Sequence, residues 1–130
     1  MAIPTVATYS AVALVAANTS FKDLIDAGAG AGSIKIRDAA AVLLAQIPLT
    51  APCGTVNGTT GQLTITPSGR DESADATGDA AYGEFCDSAG LVHLSLPAQA
   101  GSAAASGKIV INSLSIVAGG PVEVLSATVG

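Results

Sequence analysis

The sequence predicts a mainly β domain: a small antiparallel β-sandwich or barrel of about seven strands, preceded by one N-terminal helix. Three observations predict it. Short apolar or alternating runs recur through residues 33–129, each bounded by Gly, Pro, Asn or Ser turn signals. Two of those boundaries, Ser88-Ala89-Gly90 and Ala118-Gly119-Gly120, put glycine where a hairpin needs a positive φ. The first third, by contrast, repeats its apolar residues at helical spacing. With 130 residues, the chain is long enough for one ordinary core and reads as a single domain, 1–130.

The helical segment comes first. Phe21, Leu24 and Ile25 line one face, and Leu14 precedes Phe21 by seven residues and Ile25 by eleven, so one helix over about 8–27 is self-consistent. Ser20-Phe21-Lys22-Asp23 has the form of a capping box with Asp in place of Glu. A strand over 11–15 with a break at Asn18-Thr19-Ser20 is the alternative. Gly28 is a natural C′ residue closing the helix. After the flexible Ala29-Gly30-Ala31-Gly32, residues 33–38 alternate apolar and charged side chains, as a half-buried strand does. Residues 42–49 form a second strand, ended by Pro48 and by Pro52-Cys53-Gly54, and residues 62–66 a third after the Gly/Thr/Asn loop 54–61. Segments 82–87 and 91–96 make one hairpin, and 108–117 and 121–129 a second. No internal repeat defines a solenoid.

Composition excludes several classes of function. Charged residues are 12% of the chain, spread over the roughly 6,200 Å² that a folded monomer of this mass exposes, and they leave large neutral areas. The chain is too apolar to be disordered, and at net −5 too acidic for nucleic-acid binding by charge. The apolar run 11–17 is too short to span a bilayer and has no preceding Lys or Arg, so neither a membrane span nor a cleaved leader is expected. Charge is also unevenly placed. Asp71, Glu72, Asp75, Asp79, Glu84 and Asp87 fall within 71–87 with no base, whereas 39–69 carries no charge and 88–130 only Lys108 and Glu123 beside His93.

Few residues form a pattern that carries chemistry. The 28–32 glycines close a helix and open a strand, the reverse of a phosphate-binding loop. Asp71, Asp75 and Asp79 are weak candidates for a hard cation, because their four-residue spacing lacks the alternation and the closing Glu of a calcium loop. A solvated acidic loop, or one facing a basic partner, is the alternative. His93 lies in Leu91-Val92-His93-Leu94-Ser95-Leu96, where alternation sends Val92, Leu94 and Leu96 inward and His93 outward to solvent. Cys53 and Cys86 read as two buried free thiols, with a single disulfide as the alternative in an oxidising compartment. No catalytic residue and no cofactor are assigned, and no enzyme is expected.

Three blocks in succession resemble a set of small structural proteins of tailed bacteriophage virions. They are Asp23-Leu24-Ile25-Asp26-Ala27-Gly28-Ala29-Gly30-Ala31-Gly32-Ser33-Ile34-Lys35-Ile36; Ala74-Asp75-Ala76-Thr77-Gly78-Asp79-Ala80-Ala81-Tyr82 with Asp87-Ser88-Ala89-Gly90; and Ile111-Asn112-Ser113-Leu114-Ser115-Ile116-Val117-Ala118-Gly119-Gly120-Pro121-Val122. Tyr82 stands where that set carries a bulky aromatic, whereas Cys53, Cys86 and the uncharged stretch have no counterpart in it. The resemblance implies a capsid decoration (cement) protein on the outer capsid surface of the virion, made in the cytoplasm of a bacterial host, or else a tail or fibre component with a receptor- or glycan-binding β-module. The implied partners are the major capsid protein and copies of the chain itself, as dimer or trimer, with no nucleic acid and no membrane. On that reading the contacts fall on Pro48, Pro52, Val56 and Asn57 of the uncharged stretch and on Val12 and Val15 of the helix.

Overall fold

The computed structural model describes residues 10–101 and 107–129. One helix, α1 (Ala11–Asp26), precedes nine strands: β1 (Ser33–Arg37), β2 (Leu43–Val56), β3 (Leu63–Pro67), β4 (Gly78–Asp79), β5 (Tyr82–Cys86), β6 (Val92–Ala100), β7 (Ile109–Ile111), β8 (Ser115–Ile116) and β9 (Val124–Val129). Seven strands close a barrel in the order β1-β2-β3-β9-β7-β6-β5, and β4 pairs with β8 in a separate ribbon. The predicted mainly β fold with one N-terminal helix is the observed one. All barrel seams are antiparallel except β6–β7, which is parallel.

The core fills the barrel from all sides. Ile34, Ile36, Leu44, Ile47, Leu63, Phe85, Ile109 and Ile111 are fully buried, and burying each such side chain is worth roughly 1.5–3 kcal/mol. The bore of a seven-stranded barrel is narrow. At Gly83 a β-carbon would sit 2.3 Å from Ile109 Cδ1, so glycine is what lets β5 line the interior beside three isoleucines.

Each mouth of the barrel is closed by a different device. At the mouth where β2 ends and β3 begins lies α1. Its Asn18 is buried and donates to Gly61 O (2.7 Å) and Val129 O (3.0 Å), Ile25 is fully buried, and Phe21 meets Phe85 edge to face at 5.9 Å. At the opposite mouth the β4–β8 ribbon and its flanking loops bury Ala74, Ala80, Ile116 and Val122.

Several expectations need correction. The helix starts after Ser10, whose Oγ accepts from Ala13 N at 3.2 Å, and runs straight through the capping-box-like Ser20. Thr8 lies outside the described residues. Gly28 closes the helix at φ +107°, as read, but Leu24 is half exposed and off the buried face. Pro48 and Pro52 do not end β2. Pro48 stays in register with Ser33, and the ladder to β3 shifts between Leu49 and Gly54, so that the segment holding the cis Ala51–Pro52 bond bulges out and pairing resumes. Residues 108–117 are not one strand. Asn112 N donates to Glu123 O and its Oδ1 accepts from Glu123 N, while Ser113 Oγ accepts from Ser115 N, and these local bonds break the ladder.

The structure also contains the same hairpin twice. In the β1–β2 turn, Asp38 N donates to Val42 O, Ala41 N donates to Asp38 O, and Asp38 Oδ1 accepts from Ala40 N and Val42 N. In the β5–β6 turn, Asp87 N donates to Leu91 O, Gly90 N donates to Asp87 O, and Asp87 Oδ1 accepts from Ala89 N and Leu91 N. The third residue after each Asp has positive φ, Ala41 at +66° and Gly90 at +86°. Register slips at equivalent places, between Ile36 and Arg37 and between Phe85 and Cys86, leaving Leu44 and His93 as equivalent bulge residues. β1 and β5 pair antiparallel with Lys35 opposite Glu84, themselves equivalent, so a local two-fold axis through that pair relates the hairpins.

Candidate functional site

The order of strands around the barrel segregates charge. β2, β3, β9 and β7 are consecutive neighbours, and none of them contains Asp, Glu, Lys, Arg or His. The remaining neighbours, β6, β5 and β1, carry His93, Glu84, Lys35 and Arg37. On this second wall Arg37, Glu84 and His93 each have a bonded partner. The Arg37 guanidinium binds Glu84, and its Nη1 also reaches Ala41 O at 3.1 Å; His93 Nε2 lies 3.0 Å from Asp87 Oδ2 just beyond β5. The neutral wall exposes Pro48, Ala51, Pro52, Thr55, Thr64, Thr66 and Leu125.

Of the residues expected to make contacts, Pro48, Pro52, Asn57 and Val12 are exposed, Val12 by 82%. Asn57 also shapes the β2–β3 turn, its Oδ1 accepting from Thr59 N and Thr60 N. Val56 packs against the core, and Val15 is half-buried where α1 meets Gly61, so neither presents much side chain outward.

The acidic segment divides. Asp71 and Asp75 border an open groove of about 610 Å³ together with Ser33, Lys35, Gln46 and Asp87, while Asp79 lies apart on β4. Asp71 is committed to the fold: Oδ2 accepts from Gln46 N and Oδ1 from Ser73 N, both at 3.0 Å. Among the described residues no three His, Cys, Asp or Glu side chains are grouped to hold a metal ion, and the fold does not bring Asp79 to Asp71 and Asp75.

His93 is not the free surface residue that alternation predicts. The bulge at Phe85/Cys86 turns it beside Asp87, where its side chain is 14% exposed, and leaves Val92 39% exposed. Asp87 is held below the ordinary carboxylate range, first by the hydrogen bond from His93 and then by the Leu91 amide. Both cysteines are buried free thiols. Burial, reinforced by Asp26, pushes the Cys53 thiol up to about 12, and burial also raises Cys86. Both thiols therefore stay protonated and are poor nucleophiles. No helix among the described residues is long and apolar enough to cross a membrane.

Compared with protein-family models, curated proteins and solved structures, the chain matches none. Its functional reading therefore rests on its own surface. The segregated wall was half legible: the uncharged stretch 39–69 marks β2 and β3, but only the closure order shows that β9 and β7 extend it.

Proposed function

We propose that this chain is a structural virion protein of a tailed bacteriophage, a decoration protein that docks on the capsid and bridges neighbouring major capsid subunits. The observation that carries the reading is the wall of four consecutive uncharged strands, β2-β3-β9-β7. Covering a charged surface strips each ion of water at a cost of several kcal/mol unless a partner replaces it. Covering Thr, Pro, Ala and Leu carries no such penalty, and a neutral patch with exposed apolar side chains favours association. In this role the protein acts mechanically. Many copies each bury a neutral wall across a subunit boundary, and their summed interfaces hold the shell against internal pressure.

Densitometry of purified particles tests the reading. A decoration protein is present in copy number comparable with the major capsid protein, and particles lacking it assemble but burst earlier on heating or osmotic shock. A few copies per particle, with normal shell stability and lost adsorption to cells, would contradict this role and indicate the tail or fibre instead.

A further inference from the structure

The duplicated hairpin isolates one position where the copies differ in kind. Each turn is tied by an Asp whose Oδ1 holds two backbone amides, and each bulge leaves one extra residue in the strand that follows. In the first hairpin the bulge residue is Leu44, fully buried in the core. In the second it is His93, whose Nε2 lies 3.0 Å from Asp87 Oδ2, both side chains being about 15% exposed. We propose that the Asp87–His93 pair is a pH-responsive clamp on the β5–β6 turn, a device that the Asp38 turn lacks.

The charge logic follows from the groups around it. Histidine is the side chain whose charge ordinarily changes near neutral pH. Protonation of His93 turns a bond between a neutral ring and a carboxylate into an ion pair, and it pins the carboxylate that also holds Ala89 N and Leu91 N. The other charged or titratable groups near the turn do not replace it. Lys35 of β1 lies against Gly90, and Glu84 of β5 binds Arg37. Cys86 is a protonated thiol, Asp71 is bonded to Gln46 and Ser73 amides across the groove, and Asp75 only borders that groove. On the end of α1 that meets the turn, Lys22 and Asp26 pair with each other. The turn in question braces the helix end, since Ser88 Oγ approaches Ala27 O at 3.5 Å and lies over Gly28, and it presents Leu91, 62% exposed. Tightening it therefore sets both the helix end and an exposed apolar side chain.

Amide hydrogen exchange on the full chain tests the clamp, with the Asp38 turn as internal control. After correction for intrinsic exchange rates, lowering the pH from about 8 to about 5 should raise protection of the Ala89 and Leu91 amides about fivefold, the difference between a charged and a neutral hydrogen bond. The Ala40 and Val42 amides should not change. His93→Leu, which restores the residue type of the first hairpin, and His93→Gln, which keeps a hydrogen-bonding group without a charge change, should both flatten the response. Equal responses in the two turns, or a response that survives in either variant, would overturn the proposal.

Discussion

The two walls of the barrel share strand geometry and a common core, yet they spend their outer faces differently. On β6-β5-β1 the partly buried Arg37, Glu84 and His93 are tied within the chain, Arg37 to Glu84 and His93 to Asp87. On β2-β3-β9-β7 no strand residue is ionisable, and the outer face offers Thr, Pro, Ala, Leu and Gln46, the last beside Asp71. The contrast teaches that low overall charge is not a diluted property of the whole molecule. Among the barrel strands the formal charges sit on β1 and β5, and the wall farthest from them is the one a partner can cover most cheaply.

Backbone approach separates the walls most sharply. On the neutral wall a β-carbon at Gly54 would lie 2.2 Å from Thr64 O, a backbone atom that cannot move without breaking the β2–β3 ladder. Gly54→Ala should cost about 3 kcal/mol or prevent folding, measured by thermal unfolding. On the other wall the atom met by Gly83 is the terminal methyl of Ile109, which can shift. Gly83→Ala should cost about half as much. Equal losses would mean that the walls are equally rigid.

Next in size is the helix that closes one mouth against the ends of neutral strands. Asn18→Leu leaves Gly61 O and Val129 O without their buried donor, at a cost of about 2 kcal/mol, and hydrogen exchange should show α1 loosening before the barrel. The smallest effect separates the two turns. Ala41 holds φ +66° with a β-carbon, so Ala41→Gly should stabilise by about 0.5 kcal/mol, whereas Gly90→Ala at φ +86° should destabilise by about 1 kcal/mol. Chemical denaturation of both variants checks the opposite signs.

Much of the fold was legible because local chemistry decided it. The alternation in 33–38, the glycine closing α1 and the glycine in the 88–90 turn each act within a few residues, and all three hold. What failed to show was decided at a distance. Pro48 and Pro52 read as strand ends, but the pairing of β2 on both sides and a bulge absorb them. The β4–β8 ribbon has two residues per strand, too few for any periodicity. The repeated hairpin leaves only Asp38/Asp87, Ala40/Ala89 and Pro48/Pro97 identical between 33–48 and 82–97, and its real signature is a set of hydrogen bonds. His93 was misplaced for the same reason, since a bulge reverses the alternation that assigned it to solvent. The acidic residues were seen as a cluster in sequence, yet the fold uses Asp71 and Asp87 as turn and loop ties and sets Asp79 elsewhere.

The central claim is that the neutral wall is the contact surface, and matched charge insertions on the two walls test it most directly. Thr64→Lys with Leu125→Lys places two cations on exposed positions of β3 and β9, and Ser95→Lys with Pro97→Lys places two on exposed positions of β6. Each purified variant is added to phage particles that lack the protein, and bound protein is quantified alongside its melting temperature. The β3/β9 variant should bind at least about tenfold more weakly while the β6 variant binds like the parent, with folding retained in both. Parent-like binding of the folded β3/β9 variant, with binding lost in the β6 variant, would contradict the claim.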